Sequence, residues 1–482
     1  MTFDFFRTAS RWLFFAALVV APWFYGGTTA VSIVAINWVL GASLLLWVIE
    51  LSVNRRRPIW PKLLLLLIAA LLAIGIWMTI NSRSIYDAEF GTFTSLTNFA
   101  PRAPGSVDYA ISLAWLVRGI LLLMSILFVV DLSRSERALL QLWQVIVIAG
   151  GSISLLGLLQ KATGAQAIFW QMPGWQYATN FFASYYYHAN AGAYLNLILP
   201  LSAGLALRAF GTESSAGARA LWLIMFLLNL AAIAANTSRM AQLIGVLTVI
   251  ALVWQLGPRL YRRLSGSERN VALGGAAAIF LAIYAIAQTT HLEQPLHRWE
   301  KLGEQITTDA RLSASRVAVR ALPEAGALGF GPGTFRAVFP SLNKNANNLA
   351  GTGVWRFLHQ DYLQTVIEWG WVGSALWAAL LFGGIAVALV AVRAQRAIRR
   401  GAPRKTEKLK TEKRKSENSI SASQRFSVSK EWSWRRRLIL PLAIIALAGV
   451  ALHAIVDFPL QIESIQLYAA TYLALCWASA RW

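Results

Sequence analysis

The chain has 482 residues, of which 57% are hydrophobic and 14% are charged, and its formal net charge is +22. Its apolar residues form repeated runs of about 20, the length that a helix needs to cross a bilayer, which excludes a soluble globular protein. The runs lack the alternating pattern of a membrane barrel, so the sequence predicts an all-α, polytopic helical membrane protein. The only cysteine, Cys476, excludes a disulfide framework or a cysteine zinc site within one chain.

Twelve transmembrane helices are predicted in chain order. The predicted spans are 11–25, 29–51, 63–80, 109–131, 139–159, 189–208, 220–236, 240–257, 270–289, 362–392, 438–456 and 463–480. The first span, preceded by Arg7 and Arg11, resembles a signal peptide, but a second span follows almost at once. We therefore interpret it as an uncleaved helix, with cleavage near Ala30 as the alternative.

The placement of Lys and Arg predicts the orientation. With a cytoplasmic N-terminus, the loops rich in arginine fall on the cytoplasmic side at every turn, which predicts that both termini are cytoplasmic. This placement argues against a nucleic-acid partner. The sequence predicts five parts: nine helices in 1–289, an outside loop with the functional segment in 290–361, the tenth helix in 362–392, a cytoplasmic loop in 393–437 and two last helices in 438–482. The cytoplasmic loop is basic, and we expect it to be disordered and to attract anionic lipid.

The stretch HQDYLQTVIEWGWVG stands where the longest outside loop re-enters an apolar segment. Asp361, Gln364 and Glu368 form one polar stripe at helical spacing. His359 at the mouth of this helix is a candidate general base, because imidazole exchanges protons near neutrality. The alternative is a hydrogen-bonded histidine that only anchors the helix.

Two arginines lie close to or within predicted spans. Arg239, in AANTSRMAQL, lies between two spans on the outside, where its guanidinium fork would bind phosphate oxygens; a snorkelling arginine is the alternative. Arg118 lies in mid-span, where an arginine indicates a functional site, a structural pairing or a span boundary that lies elsewhere.

The outside loop contains ARLSASRVAVRALPEAGALGFGPGTF. Its first part, with Arg311 on one face, predicts an amphipathic helix that ends at Pro323. The glycines of the second part, Gly329, Gly331 and Gly333, follow no strand and lack a Gly-Lys-Ser/Thr, so they predict a tight turn against a ligand or a helix end. The cations of the loop indicate an anionic ligand or are ordinary solvated residues.

Two shorter blocks complete the set. His188 and Asn190 open the sixth span and either cap it or meet a substrate. His453 and Asp457 lie near the last outside turn, where Asp-Phe-Pro is typical of turn chemistry, so we assign Asp457 a structural role.

The residues resemble one known family. His359, Gln360, Gly370 and Gly373 fit the H-[N/S/Q]-x9-G-x-x-G signature of the O-antigen ligase and polymerase superfamily. The blocks at 237–239, 311–335, 188–190 and 453–460 are similar to that superfamily in kind and order. Ser315, where the family often has Trp, and the long basic loop 393–437 depart from its pattern.

The resemblance implies a twelve-helix bacterial inner-membrane glycosyltransferase without a metal or other cofactor. Such an enzyme moves a glycan from undecaprenyl pyrophosphate to an acceptor on the periplasmic side. His359 would take the proton from the acceptor hydroxyl or orient it, and Arg239 and Arg311 would hold the pyrophosphate.

Further roles are assigned on the same basis. Substrate binding is assigned to Gln360, Tyr362, His188, Asn190 and Arg316, and a structural role to Gly329, Gly331, Gly333, Gly370 and Gly373. Gly370 and Gly373 are expected to let a neighbouring helix approach.

The expected acceptor is lipid A-core, which would make the chain an O-antigen ligase. A polysaccharide polymerase or a protein O-oligosaccharyltransferase would use the same donor, so the motifs leave both open. A solute transporter is the alternative from another class; the near absence of acidic residues in mid-span argues against it.

Overall fold

The computed structural model describes residues 2–87, 92–171, 180–210, 214–263, 310–351, 353–401 and 435–481. These residues form an all-α membrane protein with one short β-hairpin. The helices are α1 (Thr2–Trp23), α2 (Ala30–Val53), α3 (Lys62–Ile80), α4 (Tyr109–Leu132), α5 (Glu136–Ala162), α6 (His188–Phe210), α7 (Ala216–Ala235), α8 (Arg239–Arg263), α9 (Ala310–Ala325), α10 (Phe335–Asn345), α11 (Asp361–Gly401), α12 (Leu440–His453) and α13 (Glu463–Ala478). The antiparallel strands are β1 (Ser84–Asp87) and β2 (Thr92–Ser95).

Eight helices of the described residues, α2 to α8 and α11, are long and apolar enough to cross a membrane. They coincide with eight of the predicted spans. The predicted spans 11–25, 438–456 and 463–480 correspond to α1, α12 and α13, but α12 and α13 have only 14 and 16 residues. The span predicted at 270–289 and most of the basic loop 393–437 lie outside the described residues.

Short polar side chains set where several helices begin. Asp108 accepts a hydrogen bond from the backbone N–H of Ile111 at 2.8 Å, and Ser135 and Ser215 cap α5 and α7 in the same way. Such caps satisfy N–H groups that the first helical turn leaves without a partner. The predicted end of the amphipathic helix that contains Arg311 is wrong. This helix, α9, continues past Pro323 to Ala325.

The core of the bundle is built around α6. In the most apolar stretch of this helix, 78% of the residues are buried. It packs against α5, α7, α8 and α12, while α13 packs against α4, α11 and α12. A separate small core joins α9 and α10 to the first turns of α11, through Val317, Phe335, Phe339 and Ile367. Residues 310–358 therefore form a folded unit that is seated on the end of the bundle.

The two ends of the bundle differ. At one end, α4, α6, α8, α11 and α13 begin and α12 ends, next to α9 and α10; we call it the His359 face. At the other end, α2 and α4 end and α5 begins, and Arg56 donates to Glu50 and Asp131; we call it the Arg56 face.

Arg118 is the mid-span arginine for which three interpretations were open. Its Nη2 donates to the backbone oxygen of Gln461 at 2.9 Å, and its Nε lies 4.0 Å from Oε2 of Glu463. The guanidinium also lies over the Trp115 ring, 4.6 Å from its centroid. These contacts make Arg118 part of a buried structural pairing between α4 and α13.

Candidate functional site

The start of α11 is fixed by two of its own polar side chains. The side-chain oxygen of Gln360 accepts a hydrogen bond from the backbone N–H of Leu363, which caps the helix. The buried carboxylate of Asp361 accepts from the backbone N–H of Leu460 at 2.8 Å and from the side chain of Gln461 at 2.9 Å. The start of α11 is thereby tied to the turn between α12 and α13.

His359 stands directly before this cap and contacts that turn. Its Nδ1 lies 3.0 Å from Oδ1 of Asp457, and the two side chains are 18% and 5% exposed. The backbone N–H of Phe458 donates to the same oxygen at 3.0 Å, which is the turn contact that the sequence predicts. Within the described part of the chain, Nε2 of His359 has no hydrogen-bond partner.

Asp457 is ionised in this setting. Burial by itself would raise the pKa of Asp457, but the hydrogen bond and charge of His359, with His453 and Arg311, hold the pKa below its usual range. A carboxylate that holds Nδ1 fixes the ring orientation and leaves Nε2 as the acceptor of a proton.

A tyrosine connects Asp457 to one of the predicted arginines. The hydroxyl of Tyr187 donates to Oδ2 of Asp457 at 3.2 Å and accepts from Nη2 of Arg311 at 2.8 Å. Burial, followed by the charge of Asp457, raises the pKa of Tyr187, so the phenol keeps its proton. His359 and Arg311 are therefore joined by one continuous chain of polar contacts.

Aromatic rings surround the imidazole. The ring centroid of His359 lies 4.8 Å from that of Phe458, 6.0 Å from that of Tyr187 and 6.1 Å from that of Trp355, each edge to face. Tyr187 and Phe458 stack on one another at 5.6 Å. Edge-to-face rings pack favourably and restrict the rotation of the imidazole, so His359 is held in one orientation.

Arg239 is the first residue of α8 and is half-buried. The segment before it is anchored on α6, because the side chain of Asn236 donates to the backbone oxygen of His188 at 2.9 Å and accepts from the N–H of Ser238 at 2.8 Å. His188 directly follows Tyr187. The Thr-Ser-Arg block therefore lies close to Tyr187, the residue whose hydroxyl bridges Asp457 and Arg311.

His188 and Asn190 are both buried in the first turn of α6. The backbone N–H of His188 donates to the oxygen of Asn180 at 2.7 Å, and its Nδ1 lies 3.1 Å from the same oxygen. These contacts fit the helix-end role that was one of the two predicted alternatives.

The other residues assigned to substrate binding differ in position. Tyr362 donates its hydroxyl to the backbone oxygen of Ala451 at 2.7 Å, which packs α11 against α12. Arg316 is exposed on α9, five residues after Arg311 and therefore on a different face of the helix. Gln360 serves as the cap of α11, as described above.

Gly370 breaks α11 rather than admitting a neighbouring helix. Its φ is 63° and its ψ is −172°, outside the helical region. The break frees the carbonyls of Ile367 and Glu368, which accept from the N–H groups of Phe330 at 2.9 Å and Gly331 at 3.0 Å. A short backbone pairing between the glycine turn and the broken helix results, and it agrees with the prediction of a turn against a helix end.

The glycines of this turn lie where a side chain would collide. Gly329, Gly331 and Gly333 all have positive φ, and a Cβ on them would meet Glu368, Ser106 and Trp115 respectively. The atoms nearest to a Cβ on Gly373 would be those of Trp369 in its own helix. The turn thus seats the unit 310–358, and with it Arg311, on the helix that follows His359.

Sequence reasoning missed Tyr187 and the pairing of Asp457 with His359. The signal for Asp457 was present, since it is an isolated acidic residue in an apolar turn on the same predicted face. For Tyr187 the signal was weaker: a run of three tyrosines that ends directly before His188.

One protein-family model matches part of the chain. The family model described as O-antigen ligase matches residues 224–378. This third of the chain contains Arg239, Arg311 and His359 and ends before Asp457. The match supports the resemblance to the O-antigen ligase superfamily and a membrane enzyme of polysaccharide or lipopolysaccharide assembly, without separating ligase from polymerase. No curated protein matches the chain.

Proposed function

We propose that this protein is an O-antigen ligase that transfers a glycan from undecaprenyl pyrophosphate to a hydroxyl of lipid A-core. The observation that carries the proposal is the contact of His359 with Asp457 at 3.0 Å, which leaves Nε2 of a half-buried imidazole for the acceptor. The residues that stand around it are cationic and aromatic, as an anionic, sugar-bearing donor requires.

In the proposed reaction, the acceptor hydroxyl donates its hydrogen bond to Nε2 of His359. The acceptor oxygen forms a bond to the anomeric carbon while the bond from that carbon to the pyrophosphate oxygen breaks. The electron pair stays on undecaprenyl pyrophosphate, and the proton passes to Nε2. The carboxylate of Asp457 stabilises the imidazolium that forms, as an orienting carboxylate does beside a catalytic histidine.

Arg311 and Arg239 are proposed to stabilise the charge of the leaving pyrophosphate. Nη2 of Arg311 donates to Tyr187, and a planar guanidinium fork matches the oxygens of a phosphate. The same tyrosine bridges to Asp457, so the donor site and the proton acceptor are positioned by one residue. Fixed cations at a leaving phosphate are commonly the largest single contribution to such catalysis.

The proposed location is the bacterial inner membrane, with the His359 face in the periplasm and both termini in the cytoplasm. The arginines of the Arg56 face, including Arg55, Arg56, Arg57 and Arg134, support this orientation. A reporter fused after residue 345, at the end of α10, is expected to report the periplasm. A cytoplasmic reading would refute the orientation and the donor site together.

The proposed function is tested by mass spectrometry of glycolipids from a strain that lacks the protein. A ligase predicts long glycans on undecaprenyl pyrophosphate and bare lipid A-core, restored by the wild type but not by His359→Gln. Single repeats on lipid A-core with loss of long chains would identify a polymerase instead. An unchanged lipopolysaccharide profile would refute the ligase proposal and direct the search to protein glycosylation.

A further inference from the structure

A cavity opens on the Arg56 face, far from His359 along the bundle. It has a volume of about 220 Å³ and lies between the first turns of α1 and α5 and the last turns of α2 and α4. This is several times the space of one water molecule. The polar part of its lining consists of Arg7, Thr8, Ser10, Arg11, Arg56, Asp131 and Ser135.

The acidic side chain of this cavity is already neutralised. Arg56 donates to both oxygens of Asp131 at 2.6 Å and to both oxygens of Glu50 at 3.0 and 2.7 Å. The indole N–H of Trp47 also donates to Asp131, at 3.2 Å. Nη1 of Arg134 also lies 3.9 Å from Oδ1 of Asp131. The charges of Arg56 and Arg134 therefore balance those of the two carboxylates before the arginines of α1 are counted.

Among the described residues, the arginines of α1 have no such partners. In the part of the chain that the structure describes, neither Arg7 nor Arg11 forms an ion pair or a hydrogen bond. The Nε of Arg11 is buried without a partner, and so is the hydroxyl of Ser10, whose residue is 1% exposed. The like charge of Arg137, in the first turn of α5, also acts on Arg11.

Buried donors without acceptors are costly, and like charges that converge repel one another. Both costs disappear when an anion with several acceptor oxygens enters the cavity. A phosphate group is such an anion, and guanidinium groups bind it with charge-assisted hydrogen bonds. The remaining wall, which includes Trp47 and Phe128, is apolar and suits the part of a lipid next to its headgroup.

We propose that this cavity binds a phosphate group, supplied by the headgroup of an anionic membrane phospholipid or by free phosphate. The cavity lies near the ends of the four helices α1, α2, α4 and α5. The end of a membrane-spanning helix lies at the level of the lipid headgroups in a bilayer. Arg7 and Arg11 provide the charge, and Ser10 provides a neutral hydroxyl. The cavity is on the Arg56 face and the proposed transfer reaction is on the His359 face. The test of the cavity therefore does not depend on whether the proposed reaction is correct.

The test uses the full-length protein, purified in detergent and washed free of lipid. Native mass spectrometry measures the binding of dioleoylphosphatidylglycerol, with dioleoylphosphatidylcholine as the zwitterionic comparison. Thermal unfolding measures stabilisation by sodium phosphate against sodium chloride of equal ionic strength. Both are repeated with Arg7→Gln, Arg11→Gln and the control Arg57→Gln, an exposed arginine of the same face outside the cavity lining.

We expect the wild type and Arg57→Gln to prefer phosphatidylglycerol, and affinity to fall about fivefold for each cavity arginine removed. Stabilisation by phosphate, without binding of the lipid and with the same dependence on Arg7 and Arg11, would identify free phosphate as the ligand. Equal binding of both lipids by all variants, with no effect of phosphate, would overturn the proposal. Arg7 is exposed, so Arg7→Gln decides the question even where Arg11→Gln fails to fold.

Discussion

Nδ1 of His359 lies 3.0 Å from Oδ1 of Asp457, although the two residues are separated by 98 positions in the chain. His359 is the last residue but one before α11, and Asp457 lies in the turn between α12 and α13. The pair makes the orientation of the imidazole depend on the packing of three helices, and it leaves Nε2 as the nitrogen that the proposed reaction uses.

Asp457→Asn tests this relationship. The amide keeps the shape of the turn but removes the charge that stabilises a protonated imidazole, so we expect kcat for glycan transfer to fall about 100-fold with little change in KM for the donor. The measurement is transfer from a purified lipid-linked donor to lipid A-core. The exposed neighbour substitution Val456→Ala should keep full activity. A wild-type rate for Asp457→Asn would show that the carboxylate has only its turn role.

The stability of the protein should depend on Asp457 at acid pH. The pKa of Asp457 is lowered in the folded state against a value near 3.9 in an unfolded chain, so between the two values the unfolded state binds more protons. The stabilisation is therefore complete above about pH 5 and is lost as the pH falls through the folded pKa. We expect the difference in free energy of unfolding between wild type and Asp457→Asn to shrink as the pH falls from about 5 through the folded pKa of Asp457. Thermal unfolding in detergent across this range measures it; a difference that grows toward acid pH would contradict the assignment.

Tyr187→Phe removes the hydroxyl that bridges Asp457 and Arg311. The stacking of the ring on Phe458 is preserved, so the change isolates two hydrogen bonds. We expect a rate reduction of about tenfold and a higher KM for the donor, because both partners lose a fixed contact. The matched control is Tyr109→Phe, whose side chain is 37% exposed. Equal effects of the two substitutions would remove Tyr187 from the site.

Gly370→Ala should destabilise the unit that carries Arg311. An alanine at φ 63° is strained, and its Cβ would collide with the backbone of Ala327. We expect a loss of about 1–3 kcal/mol in free energy of unfolding. Gly351→Ala, with φ 74° but open space around it, measures the strain alone, and Gly217→Ala measures the effect in an open helical position. The helix break is unimportant if Gly370→Ala is no less stable than Gly351→Ala.

Much of the bundle was already determined by the sequence. Runs of apolar residues of sufficient length produce helices wherever they occur, because the backbone must satisfy its own hydrogen bonds in hydrocarbon. The spans of α2 to α8 and α11 therefore follow from local composition. The candidate base and both candidate phosphate ligands, His359, Arg239 and Arg311, also follow from residue type and motif spacing.

What only the tertiary structure decided is which polar groups meet. The sequence predicts a turn role for Asp457, and its carboxylate does accept a hydrogen bond within its own turn. Only the packing of α11 on α12 and α13 brings this carboxylate to His359. Tyr187 had no motif at all, and its role depends on contacts with residues 124 and 270 positions away. Gly370 was likewise expected to let a neighbouring helix approach. In the structure it breaks α11, and the freed backbone carbonyls pair with the turn of Gly329, Gly331 and Gly333. Such pairings depend on distances across the fold, which the local spacing of hydrophobic residues does not encode. The sequence therefore indicates the candidate residues, and the tertiary structure determines which of them are in contact.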